Sequence, residues 1–387
     1  MKSDLDHVLF TSAYLLCLVD ALIFGYSTFS AIPYAGALSI MLRVCAAALV
    51  FIKLVLDRHY SLGLLMCLIV VGMVLLVAYV KSGYSHVFYL LIICLGMRNV
   101  DKETIISLDF WVRIVICLLI VSCGLTGIIE NYITYRTNSN VLRYSIGFNH
   151  PNTVASLVLS LILEEAWINK RHTTGFYAIV VWTLAAITYL ITANRTAVLI
   201  MVVFPVALLF AKDRTVENSE KQYGGSVFAA IIPVTAVFSY AAMMLCRSSS
   251  FFRIIDIALS NRFYNAHVIF NSYGVPLLGQ QVALVSVKAA RLTNSSIALL
   301  DVAYLRLLIQ AGPIVLILLA ILYGSVMNQA WKKGNQLLIL ILCVFIIFGL
   351  CESGFNNVFM NFTLLLAAKE LFNSEERTEE VALCSET

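Results

Sequence analysis

The chain has 387 residues, of which 61% are hydrophobic and only 12% are charged, and its mean hydropathy is +0.90. A soluble domain carries about 25% charged residues, and much of any folded surface must face water. This composition therefore excludes a soluble enzyme, a disordered protein and a secreted disulfide scaffold. It predicts an all-α polytopic membrane protein.

Apolar runs of about 20 residues, the length that crosses a bilayer, recur along the whole chain. The hydropathy pattern predicts about twelve transmembrane helices, at 8–26, 33–52, 61–80, 85–97, 110–129, 151–168, 175–192, 195–211, 226–246, 300–326, 335–351 and 355–372. The first run has no cleavage pattern after it, so we expect a membrane span there and not a signal peptide. We predict one integral membrane domain over 1–372 and an acidic, disordered, cytoplasmic tail over 373–387.

The distribution of lysine and arginine predicts the orientation, with both termini in the cytoplasm. Two longer segments then face outward, at about 130–149 and 247–299, and the second is long enough to fold as short helices. Eight of the ten basic residues on this side are arginine: Lys81, Arg136, Arg143, Arg195, Arg247, Arg253, Arg262, Lys288, Arg291 and Arg306. Because guanidinium groups suit phosphate, an outer phosphate-bearing ligand is predicted, with ordinary headgroup contact as the alternative.

The sharpest local motif is RYSIGFNHPNTVASLVLSLIL at residues 143–163. Pro151 fits the first turn of a helix, and Asn149 or His150 would be the N-cap. The free N–H groups of this helix, with Arg143 and His150 beside them, form a candidate anion site at the outer boundary. A well-capped transmembrane helix without a ligand is the alternative.

The R…GF.HPN pattern resembles that of the bacterial polysaccharide polymerase and O-antigen ligase families. ITANRTAVLIM (191–201) is similar to their small-residue-Arg-Thr-Ala motif, VPLLGQQV (275–282) to their LFGxG stretch, and LLDVAYLRLLIQAGPI (299–314) to their D-N-x-Y-L segment. The chain departs from these motifs at Val302, where Asn is usual, and at Gln280 and Gln281, which replace a glycine. The resemblance covers about 140–315 and favours the Wzy-type polymerase, with a GT-C-like architecture of about twelve helices and one large extracytoplasmic loop.

The resemblance implies glycosyl transfer between undecaprenyl-diphosphate-linked oligosaccharide repeat units on the outer face of the bacterial cytoplasmic membrane, for capsule, exopolysaccharide or O-antigen synthesis. Donor and acceptor glycans and membrane lipid are the expected partners, with a chain-length regulator as a further one and no nucleic acid. No metal and no cofactor are expected. Arg143 and Arg195 would bind the diphosphate and His150 would be the general base. The predicted substrate-binding residues are Arg262, Asn149, Asn152, Asn265, Asp301, Tyr304 and Arg306.

Other roles remain open for these residues at the level of the sequence. His150 could only cap its helix, and His267, Asp256 and Glu352 are alternative bases. Asp301 and Tyr304 are three residues apart, so they would share a helix face, although Asp301 could instead be a helix cap. The long Arg195 side chain could place its guanidinium group at the membrane–water interface. Arg262 could be a solvent-exposed charge in a loop. The charges within predicted spans, Asp20, Arg43 and Arg113, are expected to pair internally or to reach the interface.

Two further functions compete with the polymerase. A ligase that moves the finished glycan to another acceptor would share nearly every motif. A transporter of the lipid-linked unit belongs to a different class, and transporters usually show internal repeats and polar groups near the midplane. No internal repeat is visible in this sequence.

Overall fold

The computed structural model describes residues 2–57, 60–135, 141–170, 174–211, 227, 229–285 and 299–372. Within these ranges the chain is helical apart from its connections and one short two-stranded hairpin. The helices are α1 (Lys2–Val19), α2 (Ala35–Leu56), α3 (Leu62–Ser82), α4 (Ser85–Gly96), α5 (Lys102–Leu125), α6 (Pro151–Ile168), α7 (Gly175–Thr192), α8 (Arg195–Leu208), α9 (Ile231–Leu245), α10 (Ser250–Ala258), α11 (Arg262–Tyr273), α12 (Ala303–Arg306), α13 (Pro313–Lys332), α14 (Gln336–Gly349) and α15 (Thr363–Lys369). The hairpin joins β1 (Ile133–Tyr135) to β2 (Leu142–Tyr144) in antiparallel register.

Six helices of the described ranges are long and apolar enough to cross a membrane, which confirms an all-α membrane protein. They comprise α1 with its continuation to Gly25, then α2, α3, α5, α7 and α13. α9 and α10 together would form a seventh span, but they are bent by 106° at the break between them. α4, α8 and α14 are shorter apolar helices. Part of the segment 247–299 folds as two short helices, α10 and α11.

Two ends of the helix bundle can be defined from α6 and α14. α6 begins beside Glu352, because the Asn152 amide donates to that carboxylate, and α14 ends three residues before it. The opposite ends of the same helices border a cavity that Lys369 also lines. At 1.5 Å per residue, the 18 residues of α6 separate these two ends by about 27 Å. We refer to them as the Glu352 end and the Lys369 end.

Two predicted spans differ from the structure in their detail. The run 300–326 is broken at Gly312, whose φ of +97° places a turn between α12 and α13. The run 355–372 is not one helix, since it contains a turn of 3₁₀-helix and the seven-residue α15. Its side chains are almost all buried, so its hydropathy reflects the protein core and not a lipid-facing helix. Hydropathy alone does not separate these two environments.

The charges within the bundle are paired internally, as one of the two sequence-based alternatives predicted. Asp20 accepts from Arg43 at 2.6 Å and from the Tyr89 hydroxyl at 2.7 Å. Arg113 pairs with Asp109 on its own helix and with Glu164 of α6 at 3.0 Å. Internal partners let ionisable side chains remain inside an apolar bundle.

The predicted tail over 373–387 lies outside the described residues. The same holds for three of the predicted outer basic residues: Arg136, Lys288 and Arg291.

Candidate functional site

Two helix N-termini meet at the Glu352 end, each formed by a local sequence signal. His150 is the N-cap of α6, where its Nδ1 atom accepts from the Asn152 backbone N–H at 3.1 Å, and Pro151 follows in the first turn. Asn194 is the N-cap of α8, where its side chain accepts from the Ala197 N–H at 3.0 Å. Of the two predicted N-cap candidates, Asn149 and His150, the structure selects His150. Both helices therefore direct their positive ends to the same region.

Arg143 joins these two helix starts. Its Nε atom donates to the backbone carbonyl of Thr192 at 2.6 Å, where α7 ends. Its Nη2 atom donates to the side-chain oxygen of Asn152 in the first turn of α6. β2 carries Arg143, and its pairing with β1 fixes the position of the side chain above the bundle. Arg143 is therefore a half-buried cation held by two segments that are 40 residues apart in the sequence.

Glu352 lies at the centre of the site. A single oxygen, Oε1, accepts from Arg262 at 2.8 Å, from Asn152 at 3.0 Å and from Asn194 at 3.4 Å. The Glu352 side chain is 9% exposed and that of Arg262 is 12% exposed. The carboxylate thus connects α6, α8 and the start of α11. Through Asn152, one chain of hydrogen bonds runs from Arg143 to Arg262.

Arg262 is brought to this position by the contact between the end of α10 and the start of α11. Asp256, at the end of α10, accepts from the backbone N–H groups of Phe263 at 2.8 Å and Tyr264 at 3.2 Å. These bonds satisfy the free N–H groups at the start of α11 and place Arg262 in its first turn. Asp256 is therefore engaged as a helix cap, which leaves it poorly suited to the alternative role of base.

Asp301 and Arg306 complete the charged part of the site. The Asp301 carboxylate interacts electrostatically with Arg262, Glu352 and Arg306. Burial raises the pKa of Asp301, whereas Arg262 lowers it and Glu352 raises it. Arg306 stacks its guanidinium 4.6 Å from the centre of the Tyr84 ring and donates to Ser353 at 3.3 Å. The site therefore combines several arginines with two carboxylates.

Neutral His150 is expected at physiological pH. Burial lowers the pKa of His150 to about 4, and the positive charge of Arg143 acts in the same direction. Since Nδ1 accepts the capping hydrogen bond, the neutral ring carries its proton on Nε2. In this arrangement His150 presents a hydrogen-bond donor to a ligand. The base role predicted from the sequence would require the capping bond to open.

Comparisons with known proteins identify no family for this chain. No protein-family model matches the sequence, and searches of curated proteins and of solved structures give no significant match. The function of the site has therefore to be inferred from its residues and their geometry.

Two of the sequence motifs, VPLLGQQV (275–282) and LLDVAYLRLLIQAGPI (299–314), contact each other in the fold. The Gly279 N–H donates to the carbonyl of Ala311 at 2.9 Å, and the Gln280 N–H donates to that of Gln310 at 3.0 Å. A Cβ atom on Gly312 would stand 2.5 Å from the carbonyl oxygen of Leu277, so only glycine fits this close approach. Gln280 also donates through its side chain to the carbonyl of Ile309 at 2.8 Å. These contacts brace the turn that follows Arg306.

The remaining predicted site residues are Arg195, Asn149, Asn265 and Tyr304. Arg195 is exposed at the first position of α8, and within the described residues its side chain has no partner. Asn149 donates to the carbonyl of Gly25, and Asn265 is half-buried in α11 without a side-chain hydrogen bond to the described residues. Tyr304 is fully buried, and its hydroxyl donates to the carbonyl of Ile346.

The predicted shared helix face of Asp301 and Tyr304 is not formed. α12 begins only at Ala303, so Asp301 precedes the helix and helical spacing does not apply. The predicted alternative of a cap for Asp301 is not formed either, because Val302 is the N-cap and the helix start has no side-chain cap.

Glu352 is the residue whose importance the sequence understated, since it appeared there only as one alternative base. The available signal was its rarity as an acidic residue on the predicted outer side.

Within the described residues there is no group of three His, Cys, Asp or Glu side chains that could hold a metal ion.

Proposed function

We propose that this protein is a membrane-embedded polysaccharide polymerase of the Wzy type. It would join undecaprenyl-diphosphate-linked oligosaccharide repeat units at the outer face of a bacterial cytoplasmic membrane. The observation that carries the proposal is the meeting of Arg143 and Arg262 in one hydrogen-bonded network through Asn152 and Glu352. Residues from the first motif and from the outer segment are thereby held for a shared ligand.

The proposed topology has about twelve crossings, with the Glu352 end facing outward. The six long helices account for half of them. The shorter apolar helices α4, α8 and α14 would supply three more, and α6, α9 and the broken segment after Glu352 would complete the set. Both termini would then be cytoplasmic.

The charges of the site suit the leaving group of this reaction. The acceptor hydroxyl attacks the anomeric carbon of the donor, and the bond from that carbon to the diphosphate oxygen breaks with its electron pair. Undecaprenyl diphosphate leaves, and the hydroxyl proton is released. Arg143 and Arg262, with exposed Arg195, would bind the diphosphate, and two helix N-termini would add N–H donors. These contacts strengthen as negative charge develops on the leaving oxygen.

Asp301 is the proposed acceptor of the hydroxyl proton. Its carboxylate makes no hydrogen bond to the described residues, and its pKa is raised by burial, as a general base requires. Glu352 instead uses one oxygen to hold Arg262 and, through Asn152, Arg143. We therefore assign Glu352 a positioning role and His150 the role of a donor to the substrate.

The decisive experiment supplies purified protein with synthetic undecaprenyl-diphosphate-linked repeat units, without nucleotide sugar or metal, and separates the products on a gel. A ladder spaced by one repeat unit is expected for the native protein. Arg143→Ala and Arg262→Ala should each lower the rate by about 10²-fold or more, the effect typical of losing one transition-state donor. Arg253→Ala removes an exposed arginine of α10 and serves as the matched control, with an unchanged ladder.

The same assay separates the competing functions. Transfer of one glycan to an added second acceptor, without a ladder, would assign the protein as a ligase. An absence of both products from folded protein with its authentic substrate would reject the enzyme and favour a transporter.

A further inference from the structure

A cavity of about 240 Å³ lies at the Lys369 end, remote from the site described above. It is bordered by the start of α5, the ends of α6, α13 and α15, and the start of α14. Among the described residues, four lysines line it, Lys102, Lys170, Lys333 and Lys369, together with Glu103 and Glu370. This described part of the lining carries a net charge of +2, from four lysines and two glutamates.

The glutamates do not neutralise the lysines fully. Glu370 accepts from the side chains of Ser325, at 3.2 Å, and of Gln329, which also lines the cavity, so part of its hydrogen-bonding capacity is used within the protein. Glu103 is exposed at the first turn of α5. By number, the described lining holds two more ammonium groups than carboxylates.

Lys102 occupies an unfavourable position for a cation. It is the first residue of α5, and the positive end of a helix dipole disfavours a cation there. Its side chain is only half-exposed, so water screens it incompletely. The Asp101 cap and Glu103 offset the helix end, and an anion in the cavity would offset the lysine charge. Trp167 on the lining supplies the aromatic surface that is typical of the membrane interface.

We propose that this cavity binds a phosphate group, carried by the headgroup of an anionic phospholipid. Its volume is below the range of about 300–1,000 Å³ usual for drug-sized ligands, which suits a headgroup whose acyl chains remain in the bilayer. Basic pockets between transmembrane helices on the cytoplasmic side bind such headgroups, and the proposed topology places this end there. The binding does not depend on the polymerase reaction, but its placement on the cytoplasmic side rests on the proposed topology.

The test compares two double variants of the full chain. Lys170→Gln/Lys333→Gln removes two exposed lysines that line the cavity. Lys81→Gln/Lys332→Gln removes the same charge from two exposed lysines that do not line it. Lys332 and Lys333 are neighbours in sequence, so this pair separates position from charge. Size-exclusion chromatography and thermal unfolding establish that both variants are folded.

Native mass spectrometry in detergent then measures the binding of phosphatidylglycerol and of phosphatidylcholine. We expect saturable binding of phosphatidylglycerol, preferred over phosphatidylcholine, to weaken about tenfold or more in the cavity variant and less than about twofold in its control. In a second arm, inorganic phosphate is titrated against the delipidated protein. Phosphate binding that depends on Lys170 and Lys333, without lipid preference, would assign the site to a soluble phosphate. Equal effects of the two variants in both arms would overturn the proposal.

Discussion

Replacing Glu352 tests the assembly of the site most directly. Glu352→Ala removes the acceptor of three hydrogen bonds, one of which is the ion pair with Arg262. Glu352→Gln keeps an oxygen at the same position but removes the negative charge. Because the two variants differ in what they remove, they separate hydrogen bonding from charge.

The structure sets the expected magnitudes. A hydrogen bond to a charged group contributes about 1.5–3 kcal/mol, and a neutral one about 0.5–1.5 kcal/mol. Arg262 donates the charged bond at 2.8 Å, while Asn194 at 3.4 Å contributes little. We therefore expect Glu352→Ala to lower the free energy of unfolding by about 3 kcal/mol. Glu352→Gln should cost about 1 kcal/mol, since charge assistance roughly doubles such a bond.

The assay is reversible unfolding in mixed micelles, with the mole fraction of SDS as the denaturant and circular dichroism as the signal. A double-mutant cycle with Arg262→Ala isolates the pair, and we expect a coupling of about 1.5–3 kcal/mol. Glu103→Gln, at an exposed carboxylate, is the control and should stay within about 0.5 kcal/mol of the native protein. A coupling below about 0.5 kcal/mol would refute the ion pair as the link between α11 and α6.

Three further predictions concern the pH dependence and the packing of the bundle. The pKa of His150 is lowered from 6.5 to about 4, so its contribution to stability is complete above pH 6.5 and is lost as the pH falls toward 4. His150→Asn keeps an N-cap and should flatten thermal stability over that window, and an unchanged slope would contradict this. A Cβ on Gly124 would stand 2.6 Å from a backbone nitrogen in the loop before α6, so Gly124→Ala should cost about 1–3 kcal/mol in the same micelle assay. Gly36→Ala, with nothing within 4 Å, should be neutral or stabilising, and equal effects would argue against the close approach. Arg113→Met should cost about 3–5 kcal/mol because it leaves buried carboxylates unpaired, and adding Glu164→Gln should recover part of that loss. No recovery in the double variant would show that the pairing with Glu164 does not stabilise the bundle.

The sequence alone determined the class of the protein and the local ends of several helices. Because 61% of the residues are hydrophobic and few are charged, the chain cannot bury all of its apolar surface within its own fold. It therefore needs the apolar environment of a membrane, whatever the order of its helices. His150 with Pro151 determined the start of α6, because an N-cap and a first-turn proline act within a few residues. The sequence also indicated that Asp20 and Arg113 would each need a partner within the bundle or access to the interface, since an isolated charge inside an apolar bundle is costly.

Only the tertiary structure decided which of these residues meet. Asn152 and Glu352 are 200 residues apart in the sequence, and no local rule relates them. The structure also moved Tyr304 into the core and confined the last apolar run to a short helix among buried residues. Hydropathy reports how apolar a segment is, but lipid and protein interior are both apolar. The choice between them, and the partners of each charge, depend on long-range packing.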